Sequence, residues 1–387
     1  MTTVQKHVRV GLIGPGGRLR GIVRRLLDEA PAGSIQVTTA YDPDPGSLQS
    51  LRKDLGVDVE VVSSEEALAN HPEVDWVFIG SWNVFHARQA IAALQAGKNV
   101  FCEKPLATTL DDCVAIRKTV KASGRIFSFG LVLRYSPHYQ KVHELVASGK
   151  IGRIISFEFN ETLELNHGSY IFGNWRRHAV NSGSHLLEKC CHDLDLANWI
   201  IDSLPVRVAS FGGKDFFTPE NAHLAQRLAP DATGKPAYST WADPHGTNPF
   251  SEGADIVDNQ VAILQYANGV RGTFHTNCNA GLPERRFYIC GTEGTLRADT
   301  LTGQIEWLRA GAKIERINMG HGGGHAGGDE TMAKALADTL INGAKPLASV
   351  EEGLRSCVAA FAIDQAMVEK KVIDLDPWWK AAGVQVN

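Results

Sequence analysis

Cysteine is scarce in this chain, and what there is shows no pairing pattern. Seven cysteines lie among 387 residues, at positions 102, 113, 190, 191, 278, 290 and 357, and no C-x-x-C occurs. An odd, scattered set argues against a disulfide framework and against a ribbon-type zinc site, and predicts reduced, mostly buried thiols. A large charge of either sign is also missing. The 39 basic and 43 acidic residues leave a formal charge of −4, which offers nucleic acid no cationic surface. Long apolar runs are absent: nothing approaches the ~20 residues of a membrane span. The opening MTTVQKHVRVG has neither an apolar leader core nor a twin arginine. These absences predict a soluble cytoplasmic protein with no membrane or nucleic-acid partner.

What is present is length for two domains. From residue 7 to about 150, β-branched runs alternate with amphipathic segments. "HVRVGLI", "IQVTTAYD", "DWVFIG", "NVFCE" and "RIFSFG" read as strands, with helical patterns such as "LRGIVRRLLDEA" and "TLDDCVAIRKTVKASG" between them. That alternation predicts a parallel sheet with crossover helices. After Gly152 the texture changes to strands joined by short turns, including the hairpin signal Asn268-Gly269. We therefore expect a dinucleotide-binding α/β domain over residues 1–133. An α+β domain with a large, mainly antiparallel open sheet is expected over 134–387, its C-terminal helices free to pack back on the first. Residues 213–255 are polar, punctuated by Gly and Pro, and long enough to be an arm or lid.

"GLIGPGGRLRG" follows the first strand and opens a helix. Gly14 and Gly16 occupy the first two glycine positions of the dinucleotide fingerprint, where the backbone turns tightly and approaches a pyrophosphate. The third position is Leu19, so the pattern is imperfect, with Gly17 and Gly21 as candidates for the remaining close approach. Asp42 ends the second strand, 21 residues beyond Gly21, the spacing for a carboxylate that bonds the adenine ribose. It disfavours a 2′-phosphate and so selects NAD over NADP. The competing reading makes Asp42 a turn residue before Pro43.

"HLLEKCCHDLDLANW", residues 185–199, concentrates two histidines, two cysteines, a glutamate and two aspartates. A metal site needs convergent ligands, yet H-E-x-x-H is absent and the histidines are seven apart. A nucleophilic thiol needs a partner base and a lowered pKa. As an acid/base constellation the stretch works better: on a helix Glu188, His192 and Asp195 fall on one face, with Cys190 opposite and Cys191 nearer that face. All three readings remain open on the residues alone.

Residues 77–112, "VFIGSWNVFHARQAIAALQAGKNVFCEKPLATTLDD", closely resemble the Gfo/Idh/MocA oxidoreductases, whose hallmark is Glu-Lys-Pro at a strand end, here Glu103-Lys104-Pro105. Asn83 and His86 match the preceding N-x-x-H, and the resemblance runs on through "RYSPHYQKV" to the Gly183, Glu188, His192, Asp195 series. It implies a hydride transfer between a secondary alcohol of a sugar or polyol and NAD. His192 would be the general acid/base, Lys104 a proton relay or orienting group, and Glu188, where the family usually has Asp, an orienting carboxylate. Asp195 would either orient the imidazole or be a simple helix-surface residue. Cofactor contacts would come from Gly14, Gly16, Gly17, Arg18, Asp42, Ser81, Trp82, Asn83, His86, Glu103 and Lys104. Substrate contacts would come from Arg134, Tyr135, Trp175, Arg176, Arg177, His192 and His325, the last in "HGGGHAGGDE", a candidate lid that also holds His321. The resemblance also implies a homodimer or homotetramer formed through the second-domain sheet, and no metal. An NAD-dependent glycoside hydrolase that oxidises, eliminates, hydrates and re-reduces its sugar, which would be allowed to carry a uronic or sulfonated group, is the alternative. A non-catalytic NAD or sugar sensor is a third class, against which the retained Lys104 and His192 argue.

Overall fold

The computed structural model describes residues 7–230, 234–239, 246–320 and 325–386. The chain divides into two compact units, one of residues 1–137 and 327–357, the other of 138–326 and 358–387. No helix among the described residues is long and apolar enough to cross a membrane.

In the first unit the chain runs β1 (Val8–Ile13), α1 (Gly17–Glu29), β2 (Ile35–Tyr41), α2 (Pro45–Leu55), β3 (Glu60–Val61) and α3 (Glu65–Ala69). It continues with β4 (Trp76–Ile79), α4 (His86–Gln95), β5 (Asn99–Cys102), α5 (Leu110–Ser123) and β6 (Phe127–Phe129). The strands form one parallel sheet in the order β3-β2-β1-β4-β5-β6. The chain reverses its direction of winding between β3 and β4, which leaves a crevice at the carboxyl ends of β1 and β4, where open α/β sheets bind ligands. The central strands are buried on both faces, which is why they read as near-continuous apolar runs. Each helix shows one stripe to the sheet; α1 buries Leu19, Ile22, Val23 and Leu26. The stops are local. Asp44 caps α2 by accepting from the amides of Gly46 and Ser47, Thr109 caps α5, and Gly56 and Gly124 end these helices at positive φ. Sequence reading passed over β3, whose two residues are too few to show a period.

The second unit opens with most of α6 (Pro137–Ala147), then β7 (Ile154–Glu164), α7 (Leu165–Phe172), α8 (Ala179–Ser182), α9 (His185–Ile201), β8 (Pro205–Gly213) and α10 (Leu224–Arg227). Then come β9 (Asn259–Tyr266), β10 (Arg271–Ala280), β11 (Arg286–Gly291), β12 (Gly294–Asp299), β13 (Gln304–Arg309) and β14 (Glu315–Asn318). α11 (Gly328–Asn342) belongs to the first unit, and α12 (Val350–Glu369) starts there and ends in the second, with β15 (Ile373–Asp374) and α13 (Asp376–Ala381) last. The nine strands order as β14-β13-β12-β11-β7-β10-β9-β8-β15, antiparallel except for β10 beside β7. The hairpin at Asn268-Gly269 forms, closed by the Tyr266 amide donating to the Val270 carbonyl, with Gly269 at φ +84°. Its loop therefore holds three residues, ending in the left-handed glycine such loops use. Strand alternation puts Phe157, Phe159, Phe274 and Phe287 on the inner face, with Phe159 and Phe274 centroids 4.5 Å apart.

The polar stretch after β8 has a core of its own. Phe217, Tyr238, Phe250 and Ile256 cluster with Phe172 of α7, and the Phe172 and Phe217 rings stack at 4.7 Å. Its root is Asp258, whose buried carboxylate accepts from the amides of Asp215, Phe216 and Phe217 at 2.8–3.0 Å.

Candidate active site

The glycine turn after β1 is built to let something close in. Gly14 has φ +66°, and a Cβ there would lie 2.5 Å from the Ser81 backbone at the end of β4. A Cβ on Gly16 or Gly17 would meet nothing within 4 Å, so the concavity opens outwards. Gly16 caps α1 without any side-chain bond, and the first turn carries no acidic residue. Thirteen helical residues thus aim unsatisfied amides and a positive helix end at this hollow, which suits a pyrophosphate. Leu19 in the third fingerprint position is accommodated from the other side. Gly80, next to β4, faces it, and a Cβ on Gly80 would come within 2.7 Å of the Leu19 Cβ. The relief glycine has moved from helix to strand.

Asp42 stands at the end of β2, half buried, its carboxyl raised above the ordinary range by burial. Its Oδ1 accepts the Asp44 amide at 2.9 Å, so it does the work of a turn residue. His86 faces inwards instead of towards a cofactor. Its Nδ1 lies 2.7 Å from the Pro105 carbonyl and its Nε2 3.1 Å from that of Ser81. It thereby staples the Lys104-Pro105 turn, a cis peptide, to the end of β4. Burial lowers its pKa.

Glu103 and Arg18 are committed to one another. Arg18 donates through Nε to Glu103 at 3.1 Å and through Nη1 to Asp329 of α11 at 2.6 Å, and Glu103 also accepts the Lys104 amide. Trp82 stacks on Phe85 at 6.3 Å, with Arg88 over the far ring at 4.4 Å. Ser81 donates to Gln89, and Asn83 is buried. Tyr135, whose hydroxyl accepts the Ala348 amide at 3.3 Å, and Arg134, close in charge to Glu352, brace the start of α12 in the first unit.

In the second unit the site is organised by α9. Gly183 at φ +80° precedes it, where a Cβ would lie 2.5 Å from Leu187. Ser184 caps it by accepting the Leu187 amide and donates to the Asp364 carboxylate. Glu188, His192 and Asp195 share one face and all three are buried. Glu188 accepts from Arg176 Nε at 3.0 Å, and that guanidinium lies between the rings of Trp175, at 4.3 Å, and Tyr170, at 4.8 Å. The longer glutamate is thus matched to an arginine held by cation–π contacts. Arg177 turns away. Its Nη atoms bond Ser251 and the Glu252 carbonyl, which commits it to the inserted segment and not to a substrate. The His325 ring sits 6.3 Å from that of His192. His321 lies outside the described residues.

The cysteines of α9 are fully buried, and burial pushes the Cys190 thiol well up, opposite to what a nucleophile needs. Cys191 is a core residue and not a pocket wall. His185 contacts Thr276 and Cys278, its pKa pushed down to about 4 by burial. Glu161, Cys190 and Asp193 form a ligand-like trio among the described residues, but two cations fill it. Arg285 forks onto Asp193 and reaches Glu161, which also takes Lys189. This quartet, the Tyr170 platform and the Gly80 relief escaped sequence reading. The i, i+4 pair Lys189 and Asp193 was the available signal for the first, whereas nothing in the sequence marks Arg285.

Residues 8–131 match the NAD-binding Rossmann-fold domain of the Gfo/Idh/MocA oxidoreductase family, and residues 143–375 match its C-terminal alpha/beta domain. Inositol 2-dehydrogenase of Pseudomonas fluorescens is 25% identical over 95% of this chain and 96% of its own. 2,7-Anhydro-N-acetylneuraminate hydratase of Escherichia coli is 30% identical over 69% of this chain and 61% of its own. Among solved structures, levoglucosan dehydrogenase in complex with NADH and levoglucosan superposes with a TM-score of 0.78 at 20% identity, covering 96% of this chain and 100% of that one.

Proposed function

This chain belongs to the Gfo/Idh/MocA family of oxidoreductases, and from that premise we propose that it moves a hydride between a secondary hydroxyl of a sugar, polyol or glycoside and NAD. Its first domain is an NAD-binding Rossmann domain. The open glycine hollow, the uncapped start of α1 and Asp42 suit the pyrophosphate and adenine ribose. Bound NAD supplies the hydride acceptor. The observation that carries the reading is the buried face of α9 bearing Glu188 and His192. His192 takes the hydroxyl proton, since an imidazole titrates near neutrality with no special environment. Lys104 relays that proton or orients the hydroxyl, and Glu188, its charge balanced by Arg176, holds the substrate side of the imidazole. The polyol class rests on the inositol dehydrogenase relative.

A second reading has a specific observation behind it. Elimination and addition of water need two proton-transfer groups, and His325 faces His192 within the second unit. One relative is by name a hydratase of an anhydro sugar. An NAD-recycling glycosidase would use the same parts.

Incubating the protein with NAD and a panel of free sugars and nitrophenyl glycosides separates the two. Growth of the NADH absorbance with substrate supports the dehydrogenase and names its sugar. Nitrophenolate release that requires NAD but accumulates no NADH supports the glycosidase. In either case His192→Ala is expected to lower kcat by about 10²–10⁴-fold, and near-native turnover in that variant would end the assignment.

A further inference from the structure

α9 has a property that hydrophobic packing alone does not handle well: it is buried on nearly every side. Fifteen of its 17 residues are buried: Leu186, Leu187, Cys190, Leu194, Leu196, Ala197, Ile200 and Ile201 cover one half of the cylinder, and the half that carries Glu188, Cys191, His192 and Asp195 is buried as well. A narrow apolar stripe against solvent fixes a helix's rotation, whereas an apolar half as wide as this one, on a helix buried on both sides, sets it only coarsely. A slip of one residue would turn it by ~100° and carry Glu188 and His192 off their face.

We infer that Lys189 and Asp193, with Glu161 and Arg285, are positioning residues that fix the rotation of α9 and so aim Glu188 and His192. Lys189 and Asp193 are one turn apart, each one residue after a member of the Glu188/His192 pair. Both anchor on groups fixed in the sheet. Lys189 Nζ lies 3.2 Å from Glu161 Oε1, and Arg285 Nη1 lies 2.9 Å from the same oxygen. Arg285 Nε and Nη2 donate to the two Asp193 oxygens at 2.9 and 2.7 Å. Glu161 is held in β7 opposite Thr276 of β10, and the Arg285 carbonyl accepts both the amide and the hydroxyl of Thr300.

The four side chains are 13, 4, 6 and 1% exposed, for Lys189, Glu161, Arg285 and Asp193. Burial works against the Glu161 charge, but Arg285 and Lys189 outweigh it and hold its pKa to about 2. Burial, with Glu161 adding to it, raises the Asp193 carboxyl, and the Arg285 fork on both of its oxygens works the other way. Such a set contributes little net stability compared with apolar replacements, yet separating its members is costly, which makes it a device for register. A rotated α9 would leave Asp193 out of the Arg285 fork.

The test is the double variant Lys189→Met/Asp193→Leu, which removes both ties from the helix while leaving the Glu161–Arg285 pair neutral. The first readout is the titration of the His192 imidazole, followed by NMR with labelled histidine and assigned by His192→Asn. We expect its pKa to move by about half a unit or more, with NAD affinity within about twofold because the cofactor fingerprint is untouched. The second is kcat on whichever substrate the panel identifies, expected to fall about 10–100-fold as the imidazole is misplaced. Lys189→Arg, which keeps charge and reach, is expected to restore both. A double variant with a lower melting temperature but native His192 titration and native kcat per folded molecule would overturn the inference. If the double variant does not fold, Lys189→Met alone gives the same readouts with the same meaning. The inference rests on His192 as the acid/base group, but the two fail differently: His192→Ala with full turnover removes the catalytic reading, while the imidazole titration still judges the register.

Discussion

Asp42 holds a turn by accepting the Asp44 amide, and we propose that it also bonds the adenine ribose. On that proposal Asp42→Ala is expected to weaken NAD binding about 10–100-fold. Fluorescence titration with NADH checks this, and unchanged affinity would reduce Asp42 to a turn residue. Asp364 invites a different measurement. Buried where it accepts from Ser184 and Gln260, its pKa is raised to about 6, chiefly by burial. Because the folded value lies above the unfolded one, near 3.9, the native state binds more protons between pH 4 and 6. Its contribution is therefore full below about pH 4 and lost as pH rises through 6, a difference of about 3 kcal/mol. Asp364→Asn should flatten that part of the stability–pH curve in urea denaturation. At this scale the tight turn at Gly14 and the shared face of Glu188, His192 and Asp195 were legible, because each has a spacing tied to backbone geometry. The sequence did not show that Arg176 meets Glu188, or that Arg177 and His86 turn inwards. Those are choices of rotamer made by neighbours far along the chain.

Elements were legible where the period was long, as in α1 and β9–β10. They were not where the order comes from a distant anchor, and the segment after β8 is the example. Its composition reads as a loop, yet Asp258 gathers three amides at its root and Phe172 supplies the wall on which Phe217 and Phe250 pack. Asp258→Ala would leave those amides without an acceptor, at a cost of about 3 kcal/mol or more. We expect a lower melting temperature and faster protease cleavage between Gly213 and Asp258. A native digestion pattern would show that the aromatic cluster holds the segment by itself.

For the whole molecule, the open face of the second sheet decides the association state that we propose. Phe211, Ile263 and Val261 are 69, 60 and 45% exposed there, alternating with inward residues along β8 and β9. Apolar groups so placed fit a covering second copy. Ile263→Asp is expected to give a monomer by light scattering after size exclusion, while a native mass would place the interface elsewhere. The switch from a parallel to a mainly antiparallel sheet was legible from the change of texture near Gly152, but the parallel placement of β10 beside β7 was not, since strand order carries no local signal. That order also sets a schedule for synthesis. Glu161, Lys189 and Asp193 leave the ribosome well before the second cation of the set, for Arg285 lies 92 residues beyond Asp193. At ~5–20 residues per second, the nascent chain carries an incomplete charge set for on the order of 5–20 s. During that interval docking of α9 would bury the Asp193 carboxyl without its fork, a cost that is relieved once Arg285 has emerged.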